Sequence, residues 1–199
     1  MEESKEQIFN LPNSISLSRI LLIPVFLYMV INHRHTGAFA VFLIASSTDF
    51  LDGIAARMLD QKTKLGALLD PAGDKLFMTA AFIILTIPSF NSPNVIPLWL
   101  TFGVIGRDVI IVIGSFYLHL RIGQKTFPPT LVGKASTVCQ FTVLCVVLLL
   151  NLLQSHAPQL FWFYILTLFL TLLSGYQYVR IGQSWNLEYK NQRKDFPAA

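Results

Sequence analysis

The sequence predicts an all-α integral membrane protein: a bundle of six transmembrane helices behind a short N-terminal juxtamembrane segment. Three observations point there. Of 199 residues, 53% are hydrophobic and only 13% charged, with mean hydropathy +0.56, whereas soluble domains carry roughly 25% charged residues. The apolar residues fall into six runs of membrane-spanning length, separated by short polar or proline-rich stretches. The lysines and arginines gather on alternate connections. The formal charge of +4 and pI near 9.2 suit an anionic membrane surface. No basic cluster with interleaved aromatics occurs, so nucleic acid is not an expected partner.

Residues 1–14 form the expected juxtamembrane segment. Met1 to Asn10 is polar and leans acidic, unlike a secretory leader or transit peptide. Asn10 to Asn13 reads as a turn, with Asn13 or Ser14 capping the first helix, Ile15 to Asn32. Pro24 kinks that helix or is accommodated by neighbours. No small-residue cleavage site follows, so the helix is expected to be retained. His33 to Gly37 is a connector whose two histidines, unable to face one another on a helix, are expected in solvent. The second helix runs from Gly37 to Met58 and the third from Leu65 to Ile87, joined by a polar loop. Pro71 is tolerable if it falls in a first turn after Asp70. Pro88 to Pro97 is an uncharged turn.

The fourth helix, Leu98 to Leu120, carries Arg107-Asp108 near its middle. Adjacent side chains do not share a helix face, so each is expected to find its partner elsewhere. Ions at membrane depth are functional candidates, a structural tether being the alternative. A basic loop, Arg121 to Pro129, leads to the fifth helix, Leu131 to Leu153. There Cys139 and Cys145 read as small core residues, not a disulfide or metal pair. Lys134, near the entrance, is either a ligand contact or a snorkelling anchor. The sixth helix, Ala157 to Ile181, ends in a polar, basic tail, 182–199. No internal repeat interrupts the domain 15–181. Thirteen of the fifteen lysines and arginines fall with the termini, the second-to-third and the fourth-to-fifth connections. Arg34 alone lies opposite, and Arg107 is intramembrane. Both termini are therefore expected on the cytoplasmic side.

The chemistry concentrates between Asp49 and Asp74, in the pattern D-x2-D-G-x2-A-R-x8-G-x3-D-x3-D. Asp49 and Asp52 are three apart, Asp70 and Asp74 four apart, so each pair shares a helix face. Any one of them could be a helix cap or a turn residue. Four together beside apolar runs repel one another and are costly to desolvate unless cations hold them. With oxygen donors only and no Cys or His nearby, the expected cations are Mg²⁺ or Mn²⁺. Gly53, Ala56 and Gly66 permit close approach of a ligand or backbone, and Arg57 offers a fork suited to phosphate oxygens. Together these groups describe phosphoryl transfer on a diphosphate.

Those eight fixed positions over 26 residues resemble the signature of the CDP-alcohol phosphatidyltransferases, with none missing. Leu11 to Pro24 (LPNSISLSRILLIP) resembles the family too. The resemblance implies CDP-diacylglycerol as phosphatidyl donor, a lipid or polyol phosphate acceptor, CMP as product, and two bound metal ions. It makes Asp49, Asp52 and Asp70 metal ligands, and Asp74 a ligand and the catalytic general base. It places Asp52, Gly53, Ala56, Arg57 and Gly66 around the cytidine diphosphate. It further implies a homodimer among membrane lipids in the bacterial inner membrane, with its active site cytoplasmic.

The acceptor-binding candidates are Arg107, Asp108 and Lys134, and the acceptor is phosphatidylglycerol or glycerol 3-phosphate. Phosphatidylglycerophosphate synthases typically carry Arg-Glu in the fourth helix and a further Arg eight residues after the first. This chain has Arg107-Asp108 and Ser115. The loss of a cation at Ser115 weakens the case for a free phosphomonoester, while Arg107-Asp108, the Pro129-Thr130 turn before Lys134 and Gly175-Tyr-Gln-Tyr178 resemble the cardiolipin-forming members, which favours phosphatidylglycerol. Two other classes compete. A transporter also places acidic residues among helices, but needs neither Arg57 nor the glycine spacing and usually shows repeats. A structural membrane protein needs no intramembrane carboxylates.

Overall fold

The computed structural model describes the backbone of residues 11–59, 64–90, 93–122 and 130–195, and the side chains of 18–47, 73, 75–90, 93–118, 120 and 130–186. Among these residues the chain is all-helical, without strands: α1 (Leu11–Ile31), α2 (His35–Leu59), α3 (Lys64–Leu85), α4 (Leu98–Ile122), α5 (Leu131–Leu152) and α6 (Leu160–Asp195), plus a 3-10 turn at Pro88–Phe90. Two compact units result, Met1–Ile96 with Leu144–Ala157, and Pro97–Val143 with Pro158–Ala199.

Helix ends depart from the sequence-based expectation where proline or glycine was the guide. α1 starts at Leu11 and absorbs the expected turn; Pro12 lies in the first turn, where a missing N–H costs nothing. α1 also continues unbroken past Pro24. Because α3 starts at Lys64, Pro71 lies in its interior, not its first turn; membrane helices accommodate such a break through neighbouring groups. α6 passes Ile181 and Gly182 and runs to Asp195. One glycine without a following proline does not end a helix. Its 36 residues measure about 54 Å, well beyond a hydrocarbon core of roughly 30 Å.

In the first unit, α1 and α2 are joined by a tight turn. His33 adopts φ 55°, Arg34 N–H donates to Met29 O at 2.8 Å and His33 N–H to Val30 O at 3.0 Å. This double bond pattern is a Schellman closure built without glycine. Since His33 leaves the helix there, its ring meets His35 edge-on at 6.3 Å, although the two were expected apart. Gly37 lets the helices close up, since a Cβ there would sit 2.7 Å from Met29 Sδ. Deeper in, Phe26, Phe42 and Phe77 bring one buried ring each from α1, α2 and α3, with centroids 5.4–6.4 Å apart. Their contact fixes the three helices at a common level.

Beyond the end of α3, this unit is also held by a polar knot. Asn151, at the end of α5, accepts from Asn94 N–H at 2.9 Å and Asn94 Nδ2 at 3.1 Å, and donates its Nδ2 to Asn94 O at 2.9 Å. Asn94 Nδ2 also donates to Ser155 O at 2.7 Å, while its Oδ1 accepts from Ala157 N–H at 3.1 Å. Both asparagines are buried, so removing one strands several polar groups of the other. Asn151→Ala is expected to lower stability by roughly 3 kcal/mol or more, read as the midpoint of thermal unfolding in detergent. An unchanged midpoint would contradict the knot.

In the second unit, α4 packs on α6. Gly103 admits Leu168, whose Cδ1 lies 2.5 Å from where a Cβ would stand; small residues serve this purpose between membrane helices. Buried Gln140 on α5 donates to Ser136 Oγ at 3.2 Å and to Thr171 Oγ1 of α6 at 3.1 Å. Outward side chains are large and apolar, among them Phe102, Val112 and Phe116 of α4 and Trp162 and Phe169 of α6. Among the described residues, three helices are long and apolar enough to cross a membrane, over Leu98–Leu118, Leu131–Leu152 and Leu160–Asn186. The described apolar parts of the other three are shorter, Ser18–Ile31, His35–Ser47 and Lys75–Leu85.

Candidate functional site

The aspartate pairs lie on two helices of the first unit. Asp49 and Asp52 fall in the last three turns of α2, and Asp70 and Asp74 in the first half of α3. Gly53, Ala56 and Arg57 follow on α2, and Gly66 stands in the first turn of α3. The side chains of all eight lie outside the described residues; their helix positions are described.

Those positions share a register. The short turn makes α1 and α2 antiparallel neighbours, and α3 packs beside them with Phe77 against Phe26 and Phe42. From the common level of the phenylalanine rings, Arg19 stands seven residues before Phe26, Asp49 seven after Phe42, and Asp70 seven before Phe77. Seven residues are nearly two turns, about 10 Å of rise, and return to almost the same face. On all three helices this step runs in the same direction. Arg19, Asp49 and Asp70 therefore occupy one level, with Asp74 closer to the rings and Asp52 beyond.

Arg19 is a residue that sequence reasoning missed. It counted only as one cytoplasmic-side cation, yet it is 2% exposed. Its heptad spacing from Phe26 was the available signal, meaningful only once Phe26 meets Phe42 and Phe77.

The second unit holds another buried cation. Arg107 is 6% exposed. Its Nη1 donates to Asp108 Oδ1 at 2.6 Å, and its Nη2 and Nε donate to Ser174 Oγ at 2.8 and 3.3 Å. The guanidinium lies 5.6 Å from the Tyr178 ring centroid, a cation–π distance. Gly175 leaves room beside the stem, since a Cβ there would be 3.5 Å from Arg107 Cγ. The expectation that Arg107 and Asp108 do not pair is corrected. Their side chains start on different faces, but the long arginine stem lies against α6 and its five-donor fork serves both Ser174 and Asp108. Ser174 is a partner the sequence did not reveal, and Tyr178 was visible only within its motif.

Lys134 is exposed, and none of the described contacts joins it to Arg107 or Asp108. It stands in the first turn of α5, where Thr130 Oγ1 caps the helix by accepting from Gly133 N–H at 2.9 Å. Tyr178 reaches this turn as well, its hydroxyl 3.0 Å from where a Cβ on Gly133 would stand. Ser115, on α4, is half-buried.

The family model for CDP-alcohol phosphatidyltransferases matches residues 9–173. The chain belongs to that family. Among curated relatives, a CDP-diacylglycerol–glycerol-3-phosphate 3-phosphatidyltransferase of Aquifex aeolicus is 37% identical over 129 residues, covering 65% of this chain and 70% of the relative. A putative cardiolipin synthase of Mycobacterium tuberculosis is 34% identical over 135 residues, 67% of this chain and 62% of the relative. The human cardiolipin synthase (CMP-forming) is 30% identical over 197 residues, 89% of this chain and 63% of the relative. The chain thus spans less than two thirds of these two cardiolipin synthases. As a member of the CDP-alcohol phosphatidyltransferases, the chain is a transferase of phospholipid synthesis.

Proposed function

We propose that this phosphatidyltransferase moves the phosphatidyl group of CDP-diacylglycerol onto phosphatidylglycerol, giving cardiolipin and CMP. The observation that carries the acceptor choice is the state of Arg107. Its guanidinium is shared among Asp108, Ser174 and Tyr178, and eight residues on stands Ser115, not a second cation. A phosphomonoester such as glycerol 3-phosphate brings close to two charges and calls for dedicated cations. Phosphatidylglycerol brings one diester charge. The second reading, a glycerol 3-phosphate acceptor, is favoured by the name of the Aquifex relative.

In this reading Asp49, Asp52, Asp70 and Asp74 hold two Mg²⁺ or Mn²⁺ ions, a group that their all-oxygen donor chemistry fits. When bound, the ions neutralise the diphosphate and the leaving CMP. Asp52, Gly53, Ala56, Arg57 and Gly66 cradle the cytidine diphosphate, with the Arg57 fork on phosphate oxygens. Asp74 takes the proton of the acceptor hydroxyl. That oxygen bonds to the phosphatidyl phosphorus while the bond to the CMP oxygen breaks, and CMP departs with the electron pair. Arg107 and Asp108 orient the acceptor, and Lys134 attracts its headgroup from the surface.

The domain 15–181 spans the bacterial inner membrane six times, with residues 1–14, the tail 182–199 and the aspartate motif cytoplasmic, and it works as a homodimer. The apolar stretches of all six helices and the Lys/Arg asymmetry support this topology. Arg19, level with Asp49 and Asp70, offsets carboxylate repulsion when no ion is bound. Arg19→Ala is therefore expected to destabilise the metal-free protein more than the metal-loaded one. Thermal unfolding in EDTA and in Mn²⁺ checks this, and equal losses in both would remove Arg19 from the account. The acceptor is tested by offering purified protein CDP-diacylglycerol with each alcohol in turn and analysing the lipids. Cardiolipin is expected, and efficient phosphatidylglycerophosphate formation without cardiolipin would overturn the choice.

A further inference from the structure

In the second unit a groove of about 650 Å³ opens between the first turn of α5 and α6. Thr130 and Leu131 line it on one side, and Tyr176, Gln177, Arg180 and Ile181 on the other. Arg180 is exposed; its Nη1 donates to Tyr176 Oη at 3.5 Å, and its guanidinium lies 6.0 Å from that ring's centroid. Both distances are at the long end of their kind, so most of the five guanidinium donors are left for another acceptor. Gln177 Oε1 is buried and has no hydrogen-bond partner among the described residues, which a donor in the groove would supply. Between Asp108 and Glu188 the sequence holds no aspartate or glutamate, whereas Arg121 and Lys125 precede Thr130. The connection into α5 therefore adds positive charge and no carboxylate.

An apolar stripe continues from this groove. Leu131, 84% exposed, shares a face of α5 with exposed Val138, seven residues on. Tyr176 shares a face of α6 with Leu172 and Phe169, four and seven residues back, all three exposed. α5 is apolar enough to cross a membrane from Leu131 onward, and its Ser136 meets Thr171 of α6 at 3.1 Å. Ascending α5 and descending α6 thus lead together from the groove into the bilayer. A cation where the span begins, with exposed apolar side chains beneath it, matches the layout of a phospholipid; a water-soluble anion would leave the stripe unused. We propose that the groove seats one anionic phospholipid with a hydroxyl-bearing headgroup, of the phosphatidylglycerol type. Its phosphodiester pairs with Arg180, a headgroup hydroxyl donates to Gln177 Oε1, and its acyl chains lie along the stripe. This lipid is held and not consumed, so the inference stands whichever alcohol the enzyme uses.

The test places the full chain in phosphatidylcholine nanodiscs with a trace of phosphatidylglycerol that carries a photoactivatable group on one acyl chain. EDTA is present and CDP-diacylglycerol is absent, so nothing turns over. After irradiation and digestion, label is expected in segments 131–138 and 169–176. Arg180→Gln is expected to reduce it about tenfold, the scale of one lost charge-assisted hydrogen bond, and Gln177→Leu severalfold. Arg34→Gln, which removes another exposed cation, from the turn between α1 and α2, is expected to leave labelling unchanged. Wild type alone supplies a second comparison, because phosphatidylcholine carrying the same photoactivatable group is expected to label these segments about tenfold less. Equal labelling by the two lipids, or labelling indifferent to both Arg180→Gln and Gln177→Leu, would overturn the seat. Loss of label on adding glycerol 3-phosphate would make the groove a site for a soluble phosphate ester and overturn the lipid as its occupant. The acceptor is read separately from the lipid products, so either reading can fail alone.

Discussion

Asp70→Asn protein is expected to insert and fold but to release CMP from CDP-diacylglycerol roughly a hundred- to a thousandfold more slowly than wild type. That is the scale of losing one preorganised charge from a phosphoryl-transfer site. Asp70 lies seven positions from Phe77 on α3, as Asp49 lies seven from Phe42 on α2. Asparagine keeps the size and the helix while withdrawing one negative charge from the proposed ion site. The variant's unfolding midpoint in EDTA is expected to stay at or above that of wild type, because one source of carboxylate repulsion is gone. Near-normal CMP release at saturating Mn²⁺ would make the carboxylates structural.

Arg107→Ala acts on stability and activity together. Removing the guanidinium leaves the Asp108 carboxylate, 13% exposed, without its 2.6 Å partner, and Ser174 without both donors. Breaking a fully buried pair from one side costs about 3–5 kcal/mol, and a smaller loss is expected here because the pair is part-buried. The double variant Arg107→Ala/Asp108→Asn also removes the charge that faced this guanidinium and is expected to recover much of that loss. Activity is expected to remain low in both, since neither retains a cation for the acceptor phosphate. Unfolding midpoints and lipid product yields, measured on the same preparations, separate the two roles. Full activity in the stable double variant would reduce Arg107 to a tether between α4 and α6.

The six helices were legible because their apolar runs are long and the polar or proline-rich breaks between them are short. Their ends were less so. Pro12 suggested a turn, yet a proline in a first helical turn is compatible with helix, and Gly182 lacked the proline that would have made it a stop. The helical placement of the aspartate motif was legible in its three- and four-residue spacing, and its eight positions fall on α2 and α3. The level joining Arg19 to Asp49 and Asp70 was not legible. It depends on which residues of α1, α2 and α3 meet, and only the packing of Phe26, Phe42 and Phe77 supplies that register. The Arg107–Asp108 pair was misjudged for a related reason. A rule for isolated helices places neighbouring side chains apart, whereas a second helix bearing Ser174 and Tyr178 bends the longer one back.

The carboxylates of α2 and α3 are expected to drive metal-dependent transfer from CDP-diacylglycerol. The most direct test is CMP release by purified protein stripped with EDTA and then titrated with Mn²⁺ or Mg²⁺, at fixed CDP-diacylglycerol and phosphatidylglycerol. Release is expected to be absent in EDTA and to rise with either ion until saturation, one CMP appearing for each cardiolipin formed. Release that proceeds equally in EDTA would contradict the claim.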